Sequence, residues 1–476
     1  MIAAFSRSSM RPTARQARHE APDRSVSERF IFAAGSVASG FEGGFFTMIA
    51  GNCRALWTAG EAGRARRGAA LLAVVAGAFA LTGCGGGGGS ASPAVVGVVP
   101  SGGSTPVPAP APTPTPTPTA SATPTPTGTL SPTLAGLDPV ASGIDVAAFL
   151  QKSWGSGDIA PSGVPDVVGA FRFICTPSHN AYDDPIVFPG QPGKSHLHTF
   201  FGNTGANANS TYATLRTSGE STCNNLLNRS AYWIPAMMNP AGKVVMPAYV
   251  SIYYKRRPDT DPECKREGIA CVPLPRGLRY IFGYNMSNPS GAGGEFVCDN
   301  NNVVAGPFPT IPEAAKACPV GAKLGARLGA PSCWNGRDLD SADHRSHMAY
   351  PSYGSWGYLK CPDTHPYVIP TFTLAAWYVT DGSLDRSGDM SPEAKTWYLA
   401  SDRMAGMAWQ TPGTTLHADW FGAWEDSVMK LWTDNCINRL LTCSGGDLGN
   451  GQQLKMLAGY NWAIGTQLVD APARAL

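Results

Sequence analysis

Three runs of β-branched and aromatic residues, each bounded by proline or glycine, lie in the second half of the chain. They occupy residues 248–254, 278–284 and 367–379. Such side chains pack well on a pleated, half-buried surface, so the runs predict β-strands. Only two helices are expected, one beginning at Ser391 with Pro392 in its first turn, and one over 424–432. The pattern predicts a mainly β fold, a β-sandwich or jelly roll with long loops and a few helices.

The N-terminal part of the chain has the features of an export signal. A basic run at 64–67 precedes about 13 apolar residues, too few to span a bilayer, which needs about 20. The following LTGC, ending at Cys84, resembles the bacterial lipobox, whose cysteine is lipidated. We therefore expect a lipoprotein signal peptide over 48–84, an over-extended gene start over 1–47, and a membrane anchor at the outer membrane or cell surface of a bacterium. An ordinary signal peptide with a chance cysteine is the alternative.

A low-complexity segment separates this signal from the rest of the chain. Five glycines at 85–89 form a flexible stretch, and the Pro-Thr repeats that follow form a stiff one. Neither stretch has the apolar residues to form a hydrophobic core. We interpret 85–136 as a linker that lifts a single exported domain, 137–476, away from the membrane. No second linker divides that domain.

Ten cysteines fall within 137–476, an even number that predicts up to five disulfides in an exported chain. Cys264 with Cys271, and Cys436 with Cys443, each enclose six residues, so two local bridges are expected. The other pairings stay open. No CxxC spacing indicates a zinc or redox site.

Composition narrows the function. The 36 basic and 34 acidic residues give a net charge of +2, which argues against a nucleic-acid partner. Gly 55 and Pro 41 favour a loop-rich chain. The sequence has no HExxH, no GxSxG, no P-loop and no dinucleotide fingerprint.

Histidines and acids cluster at three places. His196 and His198 would share a face of an extended segment, because strand side chains repeat every two residues. His417 and Asp419 repeat that spacing. His179 and His365 are expected to be structural or exposed.

The segment 340–347 contains two acids and two histidines. On a helical turn His344 and His347 would share a face. We expect His196, His198 and His347 as metal ligands. The expected catalytic groups are His344, Asp340, Asp343, His417 and Asp419. Neutral imidazole with carboxylate suits a divalent transition metal, such as zinc, manganese or iron, that activates water. One alternative is general-base catalysis without a metal. The other is a polar core in which these groups only satisfy each other.

The aspartates are also consistent with a glycosidase, which uses a pair of carboxylates. Asp183 or Asp184 could be one half of a carboxylate pair, with Asp340, Asp343 or Asp419 as the other half. The alternative is a purely structural role, in which Asp183-Asp184-Pro185 begins a turn. Tryptophans are abundant and mostly expected in the core, while the glycine-containing loop 353–358 is the best candidate for stacking on a sugar ring.

Several motifs in one order resemble a family of secreted proteins of unknown function, common in filamentous fungi and sometimes joined to WSC domains, with bacterial members. They are FRFIC (171–175), DPIVFPG (184–190), SHLH (195–198), FGN (201–203), SAYWIP (230–235), PSCWNG (331–336), LDSADHRSH (339–347) and CPDTHP (361–366). Asn335 stands where the fungal pattern has Asp, which puts an acidic role there in doubt. The resemblance covers about 171–436 and implies an exported, disulfide-bonded domain associated with cell surfaces and glycans.

Two functions follow as hypotheses. The first is a lipid-anchored cell-envelope protein whose His/Asp site cleaves a polysaccharide, as a hydrolase or by a related reaction. The second is a non-catalytic glycan-binding or adhesion protein. A structural surface protein without a small ligand is a third possibility.

Overall fold

A computed structural model describes residues 133–154, 159, 161, 168–266, 268–289, 293–353, 359–457, 461 and 465–474. These residues belong to the second of two units into which the chain divides, Ser121–Leu476. The first unit, Met1–Ala120, lies wholly outside the described residues, as do the predicted signal peptide, Cys84, most of the predicted linker and positions 354–358 of the aromatic loop. Leu134 and Ala135 already pack against the core.

Strands outnumber helices throughout the described residues. The strands are β1 (Leu150–Lys152), β2 (Gly169–Cys175), β3 (Pro177–Ala181), β4 (His198–Gly202), β5 (Ala231–Pro235), β6 (Met237–Met238), β7 (Val244–Met246), β8 (Tyr249–Arg256), β9 (Ala270–Cys271), β10 (Arg279–Gly283), β11 (Glu295–Asn300), β12 (Val303–Phe308), β13 (Lys323–Gly329), β14 (Cys333–Trp334), β15 (Met348–Ala349), β16 (Ser352–Tyr353), β17 (Leu359–Lys360), β18 (Tyr367–Val368), β19 (Thr371–Val379), β20 (Tyr398–Leu399), β21 (His417–Phe421), β22 (Thr442–Cys443), β23 (Gln452–Leu454) and β24 (Gln467–Val469). The helices are α1 (Tyr212–Thr217), α2 (Ile311–Lys316) and α3 (Asp426–Trp432), with single 3-10 turns at Val146–Phe149, Pro262–Cys264 and Ala400–Arg403 and a π turn at Thr433–Ile437.

Two large sheets pack face to face. One has seven strands in the order β12-β11-β13-β19-β8-β2-β22, and the other has five in the order β10-β21-β5-β4-β3. Their inner faces form one core, in which the Phe372 ring of the first sheet meets Tyr232 and Phe282 of the second, with centroids 6.0 and 5.5 Å apart. The mainly β, sandwich-like prediction is confirmed.

The outer face of the five-stranded sheet is also covered. Strand side chains alternate between faces, so in β21 Ala418 and Trp420 enter the sandwich core while His417, Asp419 and Phe421 point the other way. The segment around α1 packs on this outer face, and the result is a buried layer with polar groups inside it.

The predicted strands are found, with one division. The run at 367–379 forms β18 and β19, separated at Ile369-Pro370, since proline cannot donate to a sheet ladder. The helix predicted over 424–432 is α3, beginning at Asp426.

The helix predicted at Ser391 is wrong. Ser391 and Ala394 close a single turn, and the chain then extends into β20. That course buries Trp397, whose indole N–H donates to Ser383 Oγ at 2.8 Å. Tertiary packing of one tryptophan therefore outweighs the local helix-start signal.

Five disulfides connect the ten cysteines of the described residues. Cys264–Cys271 and Cys436–Cys443 confirm the two expected local bridges. The remaining pairs, which spacing could not assign, are Cys175–Cys223, Cys298–Cys318 and Cys333–Cys361. Among the described residues, no helix is long and apolar enough to cross a bilayer.

Candidate functional site

Strands β4 and β21 lie on either side of β5, and each begins with a histidine on the outer face of the sheet. His198 pairs with Pro235 at the end of β5, and the register of β21 brings His417 to the same end. His196, two residues before β4, joins them. The centroid of the His196 imidazole lies 4.2 Å from that of His198 and 5.1 Å from that of His417.

Two overlapping sets of ligand atoms result. In each set the atoms lie within 4.8 Å of one another: His196 with His198 and His417, and Asp184 with His198 and Asp419. His198 belongs to both sets. Because its Nδ1 is already engaged by the Asp183 carbonyl, only Nε2 can bind an ion. The geometry therefore fits one ion rather than two.

Backbone carbonyls fix the tautomers of two histidines. His198 Nδ1 donates to the Asp183 carbonyl at 3.0 Å, and His417 Nδ1 donates to the Thr415 carbonyl at 2.8 Å. A carbonyl only accepts, so each Nδ1 must carry the proton and each neutral ring keeps a lone pair on Nε2. Metal-binding histidines use this arrangement, in which the second nitrogen orients the ring.

Several atoms of the site are buried without a hydrogen-bond partner among the described residues. They are Nε2 of His196, Nε2 of His198 and both carboxylate oxygens of Asp419. Asp419 is 1% exposed, and its Oδ2 lies 4.0 Å from His417 Nε2. Buried polar atoms are nearly always paired, since an unpaired one costs roughly 1–3 kcal/mol. Nitrogen and carboxylate donors left open together fit a divalent cation, so these His/Asp groups could hold a metal ion.

The site disfavours charge on its own side chains. Burial lowers the pKa of His198 to about 3 and that of His417 to about 4, and it lowers the pKa of His196 well below its usual value. Burial also raises the pKa of Asp184 to about 6 and that of Asp419 well above its ordinary range, with Asp184 adding to the effect on Asp419. The imidazoles are thus neutral, the form that binds metal.

Local structure holds these residues in place. The Asp184 carboxylate accepts the N–H groups of Ile186 and Val187 at 2.8 and 2.9 Å and closes the turn after it. Gly283 faces His417 across β10 and β21 with φ +88°, where a Cβ would lie 2.9 Å from the His417 Cα. Only glycine allows that approach, so Gly283 sets the position of His417.

Asp402 supports His417 through Thr415. The Asp402 carboxylate, 1% exposed, accepts N–H bonds from Leu399 and Gly413 at 2.7 Å each. It also accepts both the N–H and the hydroxyl of Thr415. The Thr415 carbonyl is the acceptor for His417, so Asp402 is a positioning residue for the imidazole.

The segment 340–347 is not part of the histidine cluster. His347 has both ring nitrogens engaged, by Ser341 Oγ at 2.8 Å and by the Arg279 carbonyl at 2.9 Å. It therefore has no nitrogen free for a metal, against the expectation for this residue. His344 has φ +57°, so no helical turn aligns it with His347. The Asp343 carboxylate accepts N–H bonds from the turn that follows it, which is a structural role.

His344 forms a separate dyad beside the cluster. Its Nδ1 donates to Asp340 Oδ1 at 2.9 Å, and Asp340 also accepts Arg279 Nε at 2.9 Å. The hydrogen bond to Asp340 raises the pKa of His344, and Asp184 acts in the same direction. The dyad therefore lies within electrostatic reach of the carboxylate side of the cluster.

Asp183, His179 and His365 lie outside the cluster and form hydrogen bonds within the protein. The Asp183 carboxylate accepts N–H bonds from Gly193 and Ala208, so it fastens a loop rather than facing the site. His179 and His365 have both ring nitrogens bonded within the protein, consistent with structural roles.

One site residue had no sequence signal. The Arg345 guanidinium donates to the carbonyls of Ile281 and Tyr284. Its charge adds to the effect of burial in lowering the pKa of His417 and partly opposes the rise that burial causes in the pKa of Asp419. Only the fold brings this cation beside β21.

Comparison with known families gives one result. A family model described as a domain of unknown function (DUF1996) matches residues 184–424, which includes every residue of the cluster. No curated protein and no solved structure matches the chain.

Proposed function

The chain belongs to the DUF1996 family, a family of unknown function, and for this member we propose metal-dependent cleavage of a polysaccharide at the histidine cluster. The observation that carries the proposal is the convergence of His196, His198 and His417 with unpartnered, buried donor atoms. A polar core that only satisfied itself would pair those atoms. Imidazole with carboxylate selects a divalent transition ion, such as zinc, manganese or iron.

Such an ion, when bound, supplies a Lewis acid and lowers the pKa of water. The chain supplies the rest. Nε2 of His198 and His417 would hold the ion, with His196 on one side and Asp419 or Asp184 on the other. His344, whose pKa is raised by its hydrogen bond to Asp340, holds its proton to a higher pH than a free imidazole and is suited to donate it to a leaving oxygen as a general acid.

The proposal includes export and a lipid anchor at Cys84 on a bacterial envelope. The basic run, the short apolar run and the LTGC sequence support it, and five disulfides favour an oxidising compartment. Mass spectrometry of the mature N-terminus tests this part. A lipid-modified Cys84 is expected, and any peptide from before Cys84 would contradict it.

The catalytic part is tested by counting new reducing ends on a panel of neutral and acidic polysaccharides. The purified protein is assayed after chelation and after reloading with Zn²⁺, Mn²⁺ or Fe²⁺. Turnover should require one of the metals and vanish in His198→Gln. The control His365→Gln changes a half-buried histidine that is bonded to Thr364 and Ser346 outside the cluster, and should keep full activity. Equal turnover in the chelated protein or in His198→Gln would discard the site.

Glycan binding without cleavage is the second candidate. The exposed indole of Trp409, 47% accessible, favours it, because aromatic faces stack on sugar rings. Binding of a polysaccharide with no product under any metal would select this function over the first.

A further inference from the structure

A row of arginine and aromatic side chains leads to the His196 side of the cluster. We call Trp409, Arg403, Tyr398, Tyr182 and Arg474 the arginine–aromatic surface. None of the five is among the candidate site residues above, although Trp409 bears on glycan binding.

Arg403 lies between two aromatic rings. Its guanidinium carbon is 4.0 Å from the Tyr398 ring centroid and 4.8 Å from that of Trp409. One of its N–H groups donates to the Ala394 carbonyl at 2.7 Å, which fixes the guanidinium plane. Trp409 remains half exposed, so this end of the surface is open to solvent.

Arg474 repeats the arrangement next to the cluster. Its guanidinium carbon is 4.4 Å from the Tyr182 ring centroid, and it donates to the Gly193 carbonyl at 3.2 Å. The Tyr182 carbonyl accepts the N–H of Ser195, the residue before His196. Arg474 also contributes, after burial and the neighbouring histidines, to lowering the pKa of His196.

The two halves of the surface meet. Tyr182 and Tyr398 pack against the same apolar cluster, which contains Leu197 of the SHLH segment. Burial raises the pKa of Tyr398, and the electrostatic effect of Tyr182 adds to that rise. The Arg403–Tyr398 and Arg474–Tyr182 pairs therefore lie against one apolar cluster.

The positive charge of this surface is not neutralised from within. Among the described residues, neither Arg403 nor Arg474 has a carboxylate oxygen within 4.0 Å. Nearby acids are already engaged: Asp402 accepts four hydrogen bonds, and Asp470 pairs with Lys243 at 2.5 Å. An anionic partner would meet two guanidinium groups, which match carboxylates geometrically.

We propose that the arginine–aromatic surface binds a uronate-containing polysaccharide and directs the strand to the His196 side of the cluster. The faces of sugar rings stack on aromatic rings, and guanidinium groups donate hydrogen bonds to uronate carboxylates. The near-neutral charge of the chain disfavours a nucleic acid as the occupant. This names the substrate class of the proposed cleavage and rests on that function, but binding is measured without turnover.

The test is calorimetric titration of the purified protein at low salt with polygalacturonate, with dextran of similar length and with single-stranded DNA of similar charge. Polygalacturonate should bind at least about tenfold more tightly than either competitor. The double variant Arg403→Gln/Arg474→Gln should lose about tenfold or more in affinity for polygalacturonate, the usual effect of losing charged hydrogen bonds. Arg439→Gln removes an exposed charge that is bonded to the Gly449 carbonyl, and should bind like the wild type.

Equal binding of dextran, equal binding of DNA, or retained affinity in the double variant would each overturn the proposal. Thermal unfolding shows that the variants are folded, and Arg403→Lys/Arg474→Lys, which keeps the charge but not the planar group, should bind with intermediate affinity. Metal content is measured on the same samples. If the double variant loses uronate binding but keeps its metal, the result supports the role of the arginine–aromatic surface alone. If the wild type contains no metal, the result contradicts the proposed cleavage but not the proposed binding surface.

Discussion

Asp402 and Asp419 offer a matched pair for testing whether the cluster is built for an ion. Both carboxylates are 1% exposed, and burial raises the pKa of each. Asp402 accepts four hydrogen bonds, whereas neither oxygen of Asp419 has a hydrogen-bond partner within the described part of the chain. The same Asp→Asn substitution should therefore change the free energy of unfolding in opposite directions in the metal-free protein.

The magnitudes follow from those contacts. In Asp402→Asn the new NH₂ must face either the N–H groups of Leu399 and Gly413 or the N–H of Thr415. At roughly 1–3 kcal/mol for each donor left unpaired, the loss should be at least about 1–3 kcal/mol, from the orientation that leaves only the Thr415 N–H without a partner. In Asp419→Asn no bond is lost, and the cost of keeping a carboxyl protonated is removed. The metal-free variant should therefore be more stable than the wild type, because a neutral amide replaces an ionisable carboxyl that is buried without a hydrogen-bond partner among the described residues.

Urea unfolding followed by tryptophan fluorescence measures both variants after chelation and after adding excess Zn²⁺. Metal should stabilise the wild type by about 2.7 kcal/mol at a concentration 100 times Kd. It should stabilise Asp419→Asn much less. The reasoning would be refuted if both variants destabilised the chelated protein alike, or if Asp419→Asn gained as much from Zn²⁺ as the wild type.

Two further predictions concern the dyad and the disulfides. The pKa of His344 is raised in the fold by Asp340, so its stabilisation is full below the unfolded value of about 6.5 and is lost as pH rises through the folded value. His344→Gln should therefore cost more stability at pH 5.5 than at pH 9 in denaturant titrations, and an equal cost at both would contradict the dyad. Replacing Cys175 and Cys223, 48 residues apart, by alanine should cost ~4 kcal/mol, against ~2 kcal/mol for the Cys436–Cys443 loop of separation 7, from loop-closure entropy. A larger drop in the thermal midpoint for the short loop would show that strain or packing dominates instead.

Local signals in the sequence were sufficient for the three predicted strand runs at 248–254, 278–284 and 367–379, for the two short disulfides and for the pairing of His196 with His198. Each depends on residues a few positions apart, where periodicity and spacing decide. His417 was a candidate, but its position beside His198 follows from the order β21-β5-β4, which no local pattern encodes. The same holds for Asp184 and Asp419, which are 235 positions apart in the chain yet have oxygens within 4.8 Å.

Residue type alone misled at 340–347. Two histidines and two acids in eight residues have the composition of a metal or catalytic site. In the fold, however, both ring nitrogens of His347 form hydrogen bonds, one with Ser341 and one with Arg279. The number of open ring nitrogens, and not the number of histidines, separates the cluster from this segment. For His347 one of the two deciding hydrogen-bond partners, Arg279, is 68 positions away in the chain.

Elemental analysis of the purified protein tests the central claim most directly. The wild type and the control His365→Gln should each contain one equivalent of a divalent transition metal per chain. His198→Gln should contain none, because His198 Nε2 belongs to both ligand sets. A folded wild-type protein that takes up no metal, or a His198→Gln variant that retains a full equivalent, would contradict a metal centre at this cluster.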